Sequence, residues 1–418
     1  MNNKKYNIPE KITDLIFDFD KFISYIEEEK IVLTSKNHYL KRKDLHEINK
    51  IMSEPQKDVT KNNDQPRYVR LNLFYYLGLA GNLFRKRGSE EGKQVRLIIN
   101  ENIYNEFKNL NLVEKYFSLL KIFWVDTDWK KLQTGYYNDS PINTVSDVIN
   151  IVANKANSKI KVPSGSRLIQ LLYNWNAFLK YFEFFGLWEV VEGETEFKNS
   201  YKAEAIKTTD LGNKILNILN TERSIMEWNK HVSENDRKND FTDMILNRYL
   251  SQFDEHKNKS QDRINKNDNN YENREEFFLP FVDLFFEYQV GKILSEKDID
   301  FFKGNVIFKV ELTKKMWIKV KLNGKHTLDD LHSIIQKAFK FDYYHLYAFF
   351  MDGKPWSDNC YNSPNDNRKP FADNVKIGEL DLYKGKNFLY IYDFGDDWRF
   401  QVKVVDLENN KKELFSYY

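Results

Sequence analysis

Apolar and polar residues alternate most regularly in the last quarter of the chain. In VIFKVEL (306–312), Phe308, Val310 and Leu312 alternate with Lys309 and Glu311. In WIKVKL (317–322), Ile318, Val320 and Leu322 alternate with Lys319 and Lys321. A period of two predicts half-buried strands. Thr327 then stands where a helix cap belongs, with Asp330 three residues on. Leu328, Leu331, Ile334, Ile335, Ala338 and Phe339 follow at helical spacing. HLYAFFM (345–351) predicts a third strand, and a long polar loop covers 352–374. NFLYIY (387–392) and WRFQVKVV (398–405) predict a hairpin around Asp393-Phe394-Gly395-Asp396-Asp397. Two strands, a helix and further strands suggest a β-grasp-like α+β domain over 304–418, with one helix across its sheet.

Upstream, the apolar spacing is mostly helical, and one arrangement occurs twice. The segments Leu73–Phe107 and Tyr181–Leu216 each open with an aromatic-rich helix ending in Gly-Leu (Gly78-Leu79; Gly186-Leu187). Glycine allows the left-handed turn that stops a helix. A polar, Gly-containing stretch able to form a hairpin comes next, then a short apolar strand (Val95–Ile99; Ala205–Lys207). A second helix is opened by Asn100 in one copy and by Thr209-Asp210 in the other, both good caps. Val32–Met52 reads as a short strand, a turn and a helix. Helix, hairpin, helix in this order resembles the winged-helix fold, and the second copy is the better match. Winged helices bind DNA in many proteins and serve as protein-interaction modules in many others.

Residues 251–276 contain two aromatic residues and one aliphatic residue, Ile264. Such a stretch buries too little surface to offset its ordering entropy. The expected organisation is therefore multidomain α+β, with a mostly helical N-terminal region. A first winged-helix-like unit covers 1–125 and a second covers 126–250. A polar linker with a connecting helix follows at 251–303, and the α+β domain closes the chain at 304–418.

Composition narrows the class. Hydrophobic residues make up 41% and charged residues 30%, which is globular. Coding bias in an AT-rich genome accounts for much of the Asn, Lys, Ile and Tyr content, so the 16% of aromatics is not read as a stacking surface. The single cysteine, Cys360, excludes an intrachain disulfide framework and fits a reducing compartment. The N-terminus lacks a signal-peptide pattern. FFLPFVDLFF (277–286) is broken by Pro280 and Asp283, and no apolar run approaches the roughly 20 residues of a membrane span. A cytoplasmic protein without a membrane partner is expected. The net charge is +2, and residues 304–418 hold 18 basic and 16 acidic side chains, so bulk charge argues neither for nor against a nucleic-acid partner.

Certain residues of the C-terminal segment also carry a family resemblance. WIKVKL, then TLDDLHSIIQKAF, HLYAF and YIYDFGDDW resemble the Ri-plasmid open-reading-frame-three-like domain family. The most specific part is Tyr392-Asp393-Phe394-Gly395-Asp396 with Trp398, supported by Leu331-His332 and His345-Leu346. The resemblance covers about the last quarter of the chain. It implies a setting in plasmids and mobile elements of bacteria and archaea, and little about activity. Phe400 stands where the family usually has histidine, so no site that depends on that histidine is expected. The family also usually continues into a Gly/Pro-rich tail, whereas this sequence stops at Tyr418, as a truncated chain would.

Candidate chemistry is sparse. Lys41, Arg42 and Lys43 sit at a helix start, where they suit a phosphate contact but read more simply as a solvated surface. Arg85, Lys86 and Arg87, followed by Gly88, occupy a candidate wing tip. A basic wing reaches a phosphate backbone or the minor groove, and Glu90 and Glu91 dilute its field. The second candidate wing is acidic, with Glu189, Glu192, Glu194 and Glu196, and is not expected to face DNA. Asp393, Asp396 and Asp397 place three carboxylates within five residues, with His345 and His332 within reach. Oxygen ligands of that kind suit Mg²⁺ or Ca²⁺. A tight hairpin explains them more simply, with Gly395 at positive φ and Asp side chains on turn amides. His332 is expected to be a hydrogen-bonded core residue. Cys360 has no argued base. No phosphate-binding glycine loop, dinucleotide fingerprint, paired-cysteine zinc spacing or His-Glu-x-x-His is present, so no cofactor and no metal are expected.

The sequence therefore favours a non-enzymatic interaction or regulatory protein of a mobile element or host-defence locus. Its expected partners are double-stranded DNA or another protein. The competing reading is a metal-assisted hydrolytic or nucleic-acid-processing enzyme built on Asp393, Asp396, Asp397 and His345.

Overall fold

In chain order the elements are α1 (Glu10–Glu29), α2 (Arg42–Ile51), α3 (Val69–Ala80), β1 (Phe84–Gly88), β2 (Val95–Ile99), α4 (Glu101–Lys108), α5 (Leu112–Lys121), α6 (Ile142–Ala153), β3 (Lys159–Lys161), α7 (Asn176–Phe184), β4 (Trp188–Glu192), β5 (Ala203–Thr208), α8 (Asp210–Thr221), β6 (Asn305–Thr313), β7 (Met316–Asn323), α9 (Leu328–Phe339), β8 (Tyr347–Phe350), β9 (Cys360–Asn362), β10 (Asn387–Tyr392) and β11 (Trp398–Glu408). The computed structural model describes residues 5–88, 94–133, 140–153, 155, 158–161, 176–192, 203–232, 276–294, 301–341, 344–357, 359–366, 368 and 370–408. The chain is a multidomain α+β protein. It forms two units, neither continuous in sequence: one holds 1–25, 42–83 and 101–295, the other 26–41, 84–100 and 296–418.

The first unit is mostly helical. On α1, Ile12, Leu15, Ile16, Phe19, Phe22 and Ile23 recur at helical spacing and are buried. Phe19 meets Phe74 and Phe107 edge-on, at 5.3 and 5.7 Å between ring centres. Aromatic residues fill the interior: Phe123 stacks on Trp129 and Phe182 on Trp188, at 5.0 and 4.6 Å. β3, β5 and β4 form a three-stranded antiparallel sheet in that order. Gly186 ends α7 at φ +70°, with the Leu187 amide bonded back to the Phe182 carbonyl, as the Gly-Leu pair implied. Gly78 does not play that part. It lies inside α3, which runs on to Ala80, and Asn82 takes the left-handed conformation instead. Thr209 caps α8 by accepting from the Gly212 amide at 3.0 Å.

Residues 276–294 belong to this first unit and do not form the connecting helix expected within 251–303. They make one 3₁₀ turn, Leu279–Phe281, and otherwise run irregularly. Pro280 removes a donor that a helix would need. Buried polar groups supply partners for this backbone instead. Glu114 accepts from the Gly291 and Lys292 amides, Ser118 from the Leu294 amide, and Arg223 donates to the Phe277 and Glu276 carbonyls. The polar stretch 251–275 lies outside the described residues.

The second unit is built on a six-stranded sheet of order β7-β6-β11-β10-β8-β9. Every ladder is antiparallel, the β6–β11 pair included. The expectation of one helix across a sheet holds. Leu328, Leu331 and Ile335 of α9 pack with Phe308, Val310, Tyr347, Phe349, Phe388, Tyr390 and Phe400 in one core. Thr327 and Asp330 form the expected reciprocal cap. β9, inside the loop read as polar, adds an edge strand.

The hairpin β1–β2, assigned from sequence to a first N-terminal unit, groups with this second unit. Residues 31–33 pair along the other side of β2: Val32 bridges Arg96, the Leu33 amide donates to Val95 O, and the Leu97 amide to Ile31 O. The strand order is thus 31–33, β2, β1. His38 Nδ1 lies 3.1 Å from the Tyr383 hydroxyl, and Gly88 packs so closely on the loop before β10 that a Cβ would overlap the Lys384 carbonyl oxygen. Gly88→Ala is therefore expected to cost about 2 kcal/mol, the usual range for forced overpacking. Chemical denaturation of both proteins side by side measures it, and an unchanged midpoint would contradict this packing.

Candidate nucleic-acid interface

Pleating sorts the side chains of β1 and β2 into two faces. Phe84 and Leu97 are buried on one, with Lys86 partly covered beside them. Arg85, Arg87 and Arg96 are exposed on the other. The register sets Arg87 directly opposite Arg96 and Arg85 opposite Ile98. Directly opposed residues have Cα atoms about 4.5–5.5 Å apart, so two guanidinium groups share one small area of sheet. Neither Arg87 nor Arg96 forms an ion pair with another described residue. The sequence reading named Arg85, Lys86 and Arg87 together; the structure separates Lys86 from that face and adds Arg96. Lys86 and Lys386 instead lie near His38, and together with its burial they lower the pKa of that imidazole. Glu90 and Glu91 lie outside the described residues.

The other basic candidates are less well placed. Arg42 pairs with Asp64 at 2.8 Å on an exposed surface, and Lys41 and Lys43 are exposed beside it in sequence. The acidic wing is partly neutralised, with Glu189 held by Lys207 at 3.1 Å and Glu192 by Lys180 at 2.9 Å. Glu194 and Glu196 lie outside the described residues.

The helices before the two hairpins are enclosed. No residue of α3 or α7 is exposed. The two helices pack on each other: Asn72 donates to the Tyr181 hydroxyl at 3.2 Å, and Arg70 lies over the Phe184 ring at 4.7 Å. Arg70 also pairs with the buried Asp18.

The Asp-rich hairpin uses its carboxylates locally. Asp393 Oδ1 accepts from the Gly395 and Asp396 amides at 3.0 and 3.4 Å. Its Oδ2 faces His345 Nδ1 at 3.2 Å. Asp397 pairs with Arg399, and Asp396 is exposed. Gly395 is not the residue at positive φ; Asp393 and Asp397 take that conformation, at +53° and +55°. Asp tolerates the left-handed region better than most residues because its short side chain bonds the local backbone. Among the described residues, no group of three or more His, Cys, Asp or Glu is arranged to hold a metal ion. Asp393→Asn is expected to leave thermal stability nearly unchanged, and Asp393→Ala to lower it by about 1 kcal/mol through loss of the side-chain acceptor. Equal losses from both would show that the charge toward His345 matters more than the turn.

His332 is the core residue the sequence implied. Its Nδ1 lies 2.7 Å from the Tyr390 hydroxyl, which also accepts from Gln336 Nε2 at 2.9 Å. With that oxygen accepting from the amide, its own proton is left to donate to the imidazole. The ring stacks on Tyr347 at 3.7 Å, and Tyr347 donates to Asp329. Burial lowers the His332 pKa to about 4.

A family model described as plasmid pRiA4b ORF-3-like protein matches residues 305–417, the sheet domain of the second unit. Among solved structures, a crystal structure of a protein of unknown function from Methanosarcina mazei Go1 matches at 24% identity and a TM-score of 0.22, covering 28% of this chain and 66% of that one. Comparison with curated proteins gives no match. No helix among the described residues is long and apolar enough to cross a membrane.

Proposed function

We propose that this protein is a non-enzymatic DNA-binding protein that holds the phosphate backbone of a duplex on the arginine face of β1–β2. One observation carries the reading: Arg87 and Arg96 stand directly opposite on an exposed face. Like charges in that position destabilise a sheet. An anion between them reverses the sign of the effect, and arginine's planar fork suits phosphate oxygens. The order β3-β5-β4, with its hairpin following α7 within one unit, supports the winged-helix resemblance of the second N-terminal segment, in which the hairpin is the wing. The plasmid in the description of the matching family agrees with a mobile-element setting.

The test is fluorescence anisotropy of a labelled mixed-sequence duplex titrated with the full chain at several salt concentrations. Binding that weakens with salt at a log–log slope of about −1.8 is expected if Arg87 and Arg96 neutralise two phosphates, since each contributes about −0.9. No binding at low salt would remove DNA as the partner.

A further inference from the structure

We infer that the described residues of this protein hold duplex DNA by its backbone without regard to base sequence and read no groove. The inference rests on the proposed function and adds the class of duplex recognised. In helix-turn-helix proteins, the second helix enters the major groove and its side chains read base edges. In the winged-helix reading, α3 and α7 hold that place, since each stands directly before its hairpin. Both are closed. Leu71, Asn72, Leu73, Phe74, Tyr75 and Leu77 of α3 are buried, and α7 buries Phe178, Leu179, Tyr181 and Phe182. Several polar side chains of these helices are already engaged: Asn72 bonds the Tyr181 hydroxyl and accepts from Gln65, Tyr181 donates to the Leu132 carbonyl, Arg70 pairs with Asp18, and Lys180 pairs with Glu183 and Glu192. Opening this pair would expose aromatic core to water, at about 25 cal/mol per Å².

The described strands of the hairpin do not replace those helices as a reader. A two-stranded ribbon fits the major groove, but β2 is flanked on both sides, by β1 and by residues 31–33. Three strands spaced about 4.8 Å apart, with their edges, exceed a groove about 12 Å wide and far exceed a minor groove about 6 Å wide. A face of that width lies across phosphates. Arginine on phosphate fixes position and carries no sequence information.

Competition decides the question with the full chain. Unlabelled duplexes of equal length, one mixed, one A·T-only and one G·C-only, displace a labelled mixed duplex at fixed low salt. Dissociation constants within about threefold of one another, with equal salt slopes, are expected. A tenfold preference for either composition overturns the inference while leaving duplex binding in place. So does enrichment of a common motif when the chain selects from a randomised duplex pool. If no duplex competes or binds, the proposed function fails and the inference falls with it.

Discussion

Replacing Arg87 and Arg96 together by alanine is expected to weaken duplex binding by about a hundredfold at low salt. Hydrogen bonds to charged groups contribute about 1.5–3 kcal/mol each, and two at the low end amount to about 3 kcal/mol, or roughly two decades in affinity. The salt slope is expected to become shallower by about 1.8, because two phosphates are no longer neutralised. Fold stability moves the other way or not at all. The two side chains are exposed and directly opposed, so their removal relieves a repulsion. Lysine at both positions separates charge from geometry. The slope is expected to stay at its original value while affinity falls by a smaller factor, because an ammonium cannot make the forked contact. Lys41→Ala and Lys43→Ala serve as controls on another exposed basic segment. If they weaken binding as much as the arginine pair, the interface is not the β1–β2 face. An unchanged dissociation constant in the double variant would remove the hairpin from the mechanism altogether.

Arg96 shows what the sequence withheld. Val95–Ile99 reads as an apolar strand because four of its five residues are apolar, and the arginine among them carries no sign of its partner. Its importance comes from register, which no pattern within the strand itself specifies. Short-range physics was more legible. NFLYIY became β10 with the bounds its apolar run marked, and the Thr327–Asp330 cap and the Gly186 stop were set by residues within a few positions of each other. The positive φ in the last hairpin was assigned to Gly395 on steric permissiveness, yet Asp393 and Asp397 adopt it, since the Asp393 carboxylate rewards the conformation with two amide bonds. Long-range facts were hidden. Nothing local indicates that 26–41 and 84–100 group with 296–418, or that 276–294 is held by Glu114, Ser118 and Arg223 from far upstream. The closure of α3 on α7 was likewise invisible. Each helix is apolar or aromatic on nearly every side, which states that both are buried without stating against what.

Acid is expected to destabilise the second unit through His332, by about 3 kcal/mol between pH 6.5 and pH 4. The ring is 7% exposed, its Nδ1 accepts from the Tyr390 hydroxyl, and its face is covered by Tyr347. Burial places its folded pKa at about 4, against roughly 6.5 for an imidazole in an unfolded chain. The unfolded state therefore takes up the proton first. The contribution is complete above pH 6.5, declines at about 1.4 kcal/mol per pH unit below it, and is lost once pH reaches about 4. In a unit of this size that corresponds to a fall in Tm of roughly 6–12 °C. Carboxylates elsewhere titrate over the same range, so the wild-type curve alone does not isolate the histidine. His332→Gln does. Its amide oxygen can still accept from Tyr390, and it has no proton to gain. The variant is expected to be less stable at neutral pH, having lost the stacked ring, and to lose less on acidification. The difference between the two stability–pH curves should therefore shrink steadily from pH 6.5 to pH 4. Parallel curves from thermal unfolding at matched pH values would mean that the imidazole is already hydrated in the folded chain, and that the Tyr390–Gln336 pair holds this part of the core without it.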